Sequence, residues 1–184
     1  MDKGFGEIKM EAPEIVEKIR SKFTDAIVEA DIEAVDPFAI IKPEGVHECI
    51  RYLHDETGLK FDYLMSITGV DFQGIREEAE LGVVYHLYSY KHRHTFVIKT
   101  LVNREDPHVP TIMDLYDAAN FQEREAFDLF GIIFDGHSDL RRILLPPQWE
   151  GHPMRKDWEE PETILGISTT RKTLRERLAE KNNA

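Results

Sequence analysis

The sequence contains very little cysteine: Cys49 is the only one among 184 residues. One cysteine cannot form an internal disulfide, and it cannot supply the several thiolates that hold an iron–sulfur cluster. A chain with so little cysteine is typical of a reducing compartment. We therefore expect this chain to bind no iron–sulfur centre of its own.

Long apolar runs and targeting signals are also missing. No stretch of about 18 uninterrupted apolar residues occurs, so we expect no membrane span. Residues 1–7 do not form a basic region followed by an apolar run, as a secretory signal would. We expect any association with a membrane to occur through a partner protein.

Catalytic and nucleic-acid-binding signatures are absent as well. The chain has no G-x-G-x-x-G, G-x-x-x-x-G-K-[ST] or G-x-S-x-G motif, so dinucleotide-binding, P-loop and hydrolase functions lack support. His137 and His152 do not have the tight spacing of zinc ligands. The net charge of −12 disfavours nucleic-acid binding, because an acidic surface repels phosphate.

Periodic apolar residues predict the secondary structure of the first two thirds of the chain. Helical spacing predicts helices over residues 12–23, 43–58 and 110–131, with Cys49 beside the apolar face of the second. Short apolar or alternating runs predict strands over residues 26–32, 38–41, 61–71, 81–90 and 95–102. This order predicts an α+β fold, with a mixed or antiparallel sheet of about four to five strands covered by helices.

The character of the chain changes after Gly131. Residues 134–166 lack periodicity, yet they carry large apolar side chains, including Ile143, Leu144, Trp149 and Trp158. Such side chains need a surface to cover, so the segment either wraps its own domain or forms an extended arm on a partner. We divide the chain into an α/β body domain over residues 1–133, an extended partner-binding arm over residues 134–166 and a C-terminal helical tail over residues 167–184.

The densest polar group begins in the body domain with Glu123, Arg124, Glu125 and Asp128. Glu125 and Asp128 share one helix face, as paired carboxylates for acid–base catalysis would. Arg124 and Asp128, however, have the four-residue spacing of an ordinary ion pair on a helix surface. We favour the structural interpretation of this helix cluster and assign no catalytic residue.

Polar and aromatic residues of the arm are interpreted as a partner interface, because arginine suits buried interface ion pairs and tryptophan suits interface anchors. The predicted interface residues are His137, Asp139, Arg141, Arg142, Trp149, His152, Arg155, Lys156 and Trp158. We also predict that a guanidinium of Arg141 or Arg142 is buried against a carboxylate or backbone carbonyls. Its acceptor lies either on the partner or within residues 123–128.

The run EREAFDLFGIIFDGHSDLRRILLP at residues 123–146 closely resembles the C-subunit family of respiratory complex I. This family is also called the 30-kDa subunit of NADH–quinone oxidoreductase. The run WEGHPMRKD at residues 149–157 continues the similarity, which is weaker over residues 61–71 and 83–87. Two positions depart from the family: Ser138 stands where proline is usual, and Trp158 stands where tyrosine is usual.

The resemblance implies a scaffold subunit of the peripheral arm of a proton-translocating NADH–quinone oxidoreductase. It implies docking on the D subunit of complex I near the quinone-reducing end, beside neighbouring iron–sulfur subunits, at the cytoplasmic face of the cell membrane. Iron–sulfur clusters, FMN and quinone are expected in partner subunits, and no catalytic, cofactor-binding or metal-binding residue is assigned to this chain.

The resemblance leaves the electron donor open. Ferredoxin-dependent and F420-dependent relatives of complex I share this subunit, as do membrane-bound [NiFe] hydrogenases. A free-standing regulatory binding domain is the alternative from a different functional class. Co-purification with large membrane subunits would separate these two classes.

Overall fold

A mixed sheet of five strands organises the protein, in the order β1-β2-β5-β4-β3. The computed structural model describes residues 10–76, 80–164 and 166–169. The strands are β1 Ile27–Asp31, β2 Phe38–Ile41, β3 Tyr63–Asp71, β4 Glu80–Ser89 and β5 His94–Asn103. β2 and β5 are parallel, and the other neighbouring pairs are antiparallel. The predicted α+β class is confirmed, including the β4–β5 hairpin.

Two amphipathic helices join the sheet in a shared apolar core. Helix α1, Ala12–Lys22, carries a proline in its first turn and buries Ile15, Val16 and Ile19. Helix α2, Val46–Asp55, buries Val46, Cys49, Ile50 and Leu53. These side chains pack in one cluster with inward-facing residues of β4 and β5 such as Tyr85 and Ile98. Full burial of each large aliphatic side chain contributes about 1.5–3 kcal/mol to folding.

The third predicted helix begins later than the sequence pattern indicates. Helix α3 spans Ala119–Phe130, whereas residues 111–118 form turns and irregular structure. The prediction for residues 110–118 is wrong because Glu123 accepts hydrogen bonds from the Thr111 hydroxyl and the Ile112 N–H. These contacts hold the start of the segment outside a helix, although Ile112 and Tyr116 are buried as predicted.

Helix α3 lies along the edge strand β3. Gln122 Oε1 accepts a hydrogen bond from the Ile67 N–H, a backbone donor on that edge. Gly69 faces Phe130, and a Cβ atom at Gly69 would lie 2.5 Å from Phe130 Cδ2. The helix therefore approaches the strand closely and protects the sheet edge from pairing with another chain.

Two pairs of short strands complete the described structure. β6 His108–Pro110 pairs in parallel with β7 Ile133–Asp135. β8 Thr163–Ile164 pairs with β9 Ile167–Ser168. The predicted C-terminal helical tail thus begins with a strand, and its residues 170–184 lie outside the described residues. No helix in the part of the chain that the structure describes could cross a membrane.

Candidate functional site

The carboxylate of Asp128, in the last turn of α3, fixes the start of the arm. Asp128 is fully buried. Its Oδ2 accepts hydrogen bonds from three consecutive backbone N–H groups, those of Ile143 at 3.0 Å, Leu144 at 2.8 Å and Leu145 at 2.9 Å. Its Oδ1 accepts a hydrogen bond from Arg142 Nη1 at 2.8 Å. One side chain therefore fixes the backbone of three consecutive arm residues and binds the side chain of the residue before them.

The environment of Asp128 keeps its carboxylate ionised. Burial alone would raise its pKa, but hydrogen bonds from the N–H groups of Leu145 and Leu144 and from Arg142 outweigh burial and lower the pKa below its usual range. Arg142 is the arginine whose guanidinium lies against the predicted 123–128 region, and its side chain is partly buried there. The predicted Arg124–Asp128 surface pair is wrong, because the arm supplies a cation to Asp128 from a distant part of the sequence.

The arm also satisfies the exposed carbonyl groups at the C-terminal end of α3. Three carbonyls of the last turn accept hydrogen bonds from it: Asp128 O from His152 Nδ1, Leu129 O from the Met154 N–H and Phe130 O from Arg155 Nε. Helix carbonyls without partners inside the helix need such donors, and a cation is favoured at this end of the helix dipole. The arm is thus part of the helix termination.

Gly131 allows the arm to approach this closely. It ends α3 with φ at 71°, in the left-handed region that favours glycine. A Cβ atom here would lie 2.5 Å from His152 Nε2 and 2.9 Å from Arg155 Nη2. Any side chain at Gly131 would therefore displace two of the arm residues that cap the helix.

A second polar cluster holds the distal arm to the end of the sheet. Asp71, at the end of β3, binds the guanidinium of Arg104 and accepts a hydrogen bond from the Lys156 N–H at 2.8 Å. Arg104 Nη1 also lies 3.0 Å from a carboxylate oxygen of Asp157. Lys156 Nζ donates to the carbonyl of Gln73 at 2.7 Å. Asp71 and Arg104 were not among the predicted site residues, since nothing in their local spacing links them to the arm.

Five more of the predicted residues lie on α3 or at the start of the arm. Arg124 is buried, and its Nε donates to the carbonyl of Arg141 at 3.2 Å. Asp139 pairs with Arg141 at 2.9 Å, and Arg141 is mostly exposed. His137 Nε2 donates to the carbonyl of Asn120 at 3.1 Å. Glu125 is exposed on α3, so it does not share an environment with buried Asp128.

Three apolar side chains of the arm point away from these contacts. The exposed fraction is 37 % for Ile143, 59 % for Leu144 and 55 % for Met154. The arm therefore contacts α3 and the sheet through several of its polar groups, and it exposes these three apolar side chains. No group of three metal-binding side chains occurs within the described ranges.

Glu123 is the buried acid of α3 with the most unusual environment. Burial raises its pKa from the usual 4.5 to about 7, against hydrogen bonds from the Ile112 N–H and the Thr111 hydroxyl, which lower it. Since the folded-state pKa lies above the unfolded value, the folded protein binds this proton more tightly. The resulting stabilisation is complete below about pH 4.5 and is lost as the pH rises through about 7.

We expect Glu123→Gln to remove this pH dependence. Glutamine can still accept from the Ile112 N–H, and its amide can donate to the Thr111 hydroxyl oxygen. Between pH 4.5 and pH 8 the variant should gain up to about 3 kcal/mol in free energy of unfolding relative to the parent protein. Urea denaturation at a series of pH values measures this difference. Glu125→Gln, at an exposed position, is the matched control and should follow the parent, whereas parallel curves for all three proteins would contradict the prediction.

A family comparison and a similar protein both point to one subunit of a respiratory NADH dehydrogenase. The family described as respiratory-chain NADH dehydrogenase, 30 Kd subunit, matches residues 39–163. The C subunit of NADH-quinone oxidoreductase from Roseiflexus sp. strain RS-1 is 41 % identical over 143 residues, which are 78 % of this chain and 81 % of that protein. The family match includes α3 and the arm up to the first residue of β8.

Two solved structures share the fold. A trypsin-resistant fragment of Nqo5 matches with a TM-score of 0.60 and 31 % identity, covering 71 % of this chain and 100 % of that one. A chain of the membrane-bound sulfane sulfur reductase, an archaeal respiratory membrane complex, matches with a TM-score of 0.65 and 27 % identity, covering 80 % of this chain and 85 % of that one.

Proposed function

The chain belongs to the family of the 30-kDa subunit of respiratory-chain NADH dehydrogenase, and from this membership we propose that it is a non-catalytic scaffold subunit of a proton-translocating NADH–quinone oxidoreductase. It docks on the D subunit near the quinone-reducing end of the peripheral arm, at the cytoplasmic face of the membrane. Its arm, residues 134–166, forms the main contact. Electrons pass through cofactors held by neighbouring subunits.

The single observation that carries this proposal is the two-sided character of the arm. Arg142, His152 and Arg155 bind the end of α3, while Ile143, Leu144 and Met154 are exposed. The three N–H groups bound by Asp128 hold the backbone that carries Ile143 and Leu144 in one conformation. Preorganised apolar side chains lose little freedom on association, so they are suited to binding another protein.

Site-specific photo-crosslinking in the host tests this proposal directly. A photoreactive residue is placed at Leu144 and, as a control, at Val35, which is 99 % exposed in a different part of the chain. We expect the probe at position 144 to crosslink to the D subunit in membranes, and the probe at position 35 to give no such product. If the product at position 144 contains only proteins outside the oxidoreductase, the docking function is wrong and a free-standing binding domain becomes the better account.

The isolated chain is expected to carry no iron–sulfur cluster. Cys49 is fully buried in α2, and burial raises the pKa of its thiol to about 12. The thiolate that binds iron is therefore strongly disfavoured at this position. We expect chain purified without oxygen to show no cluster absorbance and no stoichiometric iron, with a spectrum identical to that of Cys49→Ala. Iron at one cluster per chain would contradict this.

A second candidate is the equivalent subunit of a related respiratory membrane complex with another electron donor. The similarity to a chain of the archaeal sulfane sulfur reductase complex favours it. Both candidates use the same docking arm, so crosslinking alone does not separate them. An activity assay of the purified complex with NADH, ferredoxin and F420 as electron donors separates the two candidates.

A further inference from the structure

A cavity of about 180 Å³ near the end of the arm is not used by the contacts described above. Trp149, Glu150, Trp158, Pro161 and Ile164 are among the residues that line it. The two indole rings are stacked, with centroids 6.0 Å apart and planes at 20°. One water occupies only about 30 Å³ of liquid volume, so the cavity has room for a side chain.

Local structure holds the two tryptophans in place. Gly151 has φ at 75°, and a Cβ atom there would lie 2.9 Å from Trp158 Cδ1. Trp158 Nε1 donates to the carbonyl of Glu150 at 3.4 Å. Trp149 Nε1, in contrast, is buried and has no hydrogen-bond partner among residues 10–76, 80–164 and 166–169. A buried N–H without an acceptor is costly, so a partner of the cavity should supply a hydrogen-bond acceptor.

The surroundings of the cavity are acidic. Four exposed carboxylates of the arm form no ion pair with any described residue: Glu150, Glu159, Glu160 and Glu162. Two cations of the same stretch, Arg155 and Lys156, bind the carbonyls of Phe130 and Gln73 and keep their charge. Asp157 is paired with Arg104. The four carboxylates outnumber the two cations, so the net charge around the cavity is negative.

We propose that this cavity binds an arginine or lysine side chain presented by an extended segment of a neighbouring subunit. This inference rests on the proposed docking function and specifies the chemistry of the partner. The aliphatic stem and the cation lie against the indole rings, and the cation faces the carboxylate of Glu150. Trp149 Nε1 is closed to solvent, so the indole ring turns on binding to donate to a peptide carbonyl of the same segment. Arginine is favoured over lysine because its planar guanidinium stacks on aromatic rings.

The two tryptophans make the test site-specific, because a ¹⁵N-labelled full chain has only two indole N–H groups. The probe is a capped peptide with an arginine between glycines, compared with the same peptide carrying glutamine or glutamate. We expect the arginine peptide to shift the Trp149 indole signal and to bind about fivefold more tightly than the glutamine peptide. The difference should shrink as salt screens the charges.

Matched variants identify the groups involved. Glu150→Gln should weaken binding of the arginine peptide about threefold, whereas Glu125→Gln, on α3, should leave it unchanged. Trp149→Phe removes the indole N–H and should also weaken binding, while the Trp158 signal reports that the arm stays folded. Equal affinity for the three peptides, or no shift with any of them, would overturn the proposal.

The chain itself offers one competing occupant. Residues 170–184 contain five cations, Arg171, Lys172, Arg175, Arg177 and Lys181. If the arginine peptide binds only a variant that ends at Thr169, the cavity belongs to the chain's own C-terminal segment, and the partner proposal is wrong. Crosslinking at Leu144 is independent of all these outcomes. It therefore distinguishes failure of this inference from failure of the docking function.

Discussion

Replacing Asp128 with Asn is expected to lower the free energy of unfolding by about 3–5 kcal/mol, because the variant leaves the partly buried guanidinium of Arg142 without its counter-ion. The amide has only one oxygen, so its NH2 group must face either the Arg142 guanidinium or the N–H groups of residues 143–145, and both are donors. Typical domains have only about 5–15 kcal/mol of stability, so the loss is a large part of the total.

The arm should respond most strongly to this change. Both tryptophans of the chain lie in the arm, so indole fluorescence reports its conformation during urea denaturation. Hydrogen exchange of Ile143, Leu144 and Leu145 should accelerate, because their N–H groups lose a charged acceptor. Asp139→Asn is the matched control, since Asp139 pairs with exposed Arg141 and contributes about 0–1 kcal/mol. Equal effects of the two substitutions would show that Asp128 does not organise the arm.

Asp128 also predicts a loss of stability in acid. Its folded-state pKa lies below the usual range, so its stabilisation is present above the unfolded pKa and is lost as the pH falls through the folded value. This dependence has the opposite sign to that of Glu123, although the two carboxyl groups lie on the same helix. The difference arises because Asp128 accepts three backbone hydrogen bonds and pairs with a cation, whereas burial dominates at Glu123.

Arg141 and Arg142 are adjacent in the sequence, but we expect their substitution by alanine to have very different effects. Arg142 Nη1 binds Asp128, and its Nη2 donates to the carbonyl of Gly151 at 3.2 Å. Its loss leaves the buried Asp128 carboxylate unpaired, at a cost of about 3–5 kcal/mol. Arg141 is mostly exposed and should contribute only about 0–1 kcal/mol.

A double-mutant cycle of Asp128→Asn and Arg142→Ala checks that one interaction explains both losses. We expect a coupling free energy of about 1–3 kcal/mol, because the two side chains are in direct contact. Arg141→Ala combined with Asp128→Asn should be additive. Equal destabilisation by Arg141→Ala and Arg142→Ala would contradict the assigned contacts, and so would an additive cycle for Asp128 with Arg142.

The sequence predicts those parts of the fold whose signal is periodic and local. Helices α1 and α2 and the β4–β5 hairpin follow from apolar spacing, because each buries one face in the shared core. Strands β6 and β7 have three residues each, which is too short for a repeating pattern. Residues 111–118 do not form a helix because Glu123, in the helix that follows, accepts hydrogen bonds from Thr111 and Ile112. The spacing of apolar residues does not reveal this contact.

For the candidate site too, the sequence predicts which residues take part but not which of them contact each other. The polar residues of α3 and the arm can be listed from the sequence, but their ion-pair and hydrogen-bond partners cannot. Asp128 has a cation four positions away on its own helix, yet its partner is Arg142, fourteen positions along the chain. Asp71 and Arg104 meet the arm across much longer separations. Such contacts depend on how the arm folds back over α3, and periodicity carries no information about that.

Leu144→Asp is the substitution that best tests the proposal that the arm docks this chain in a respiratory complex without taking part in the chemistry. Leu144 is 59 % exposed, so the substitution should leave the folded chain intact, which urea denaturation of the full chain checks. The two quantities to measure are the amount of assembled complex in membranes and the quinone reductase turnover per assembled complex, with Val35→Asp as the control. We expect Leu144→Asp to lower assembly while turnover per assembled complex stays unchanged, and we expect Val35→Asp to change neither. Normal assembly of Leu144→Asp with lost turnover would contradict the proposal and would give the arm a direct part in the quinone reaction.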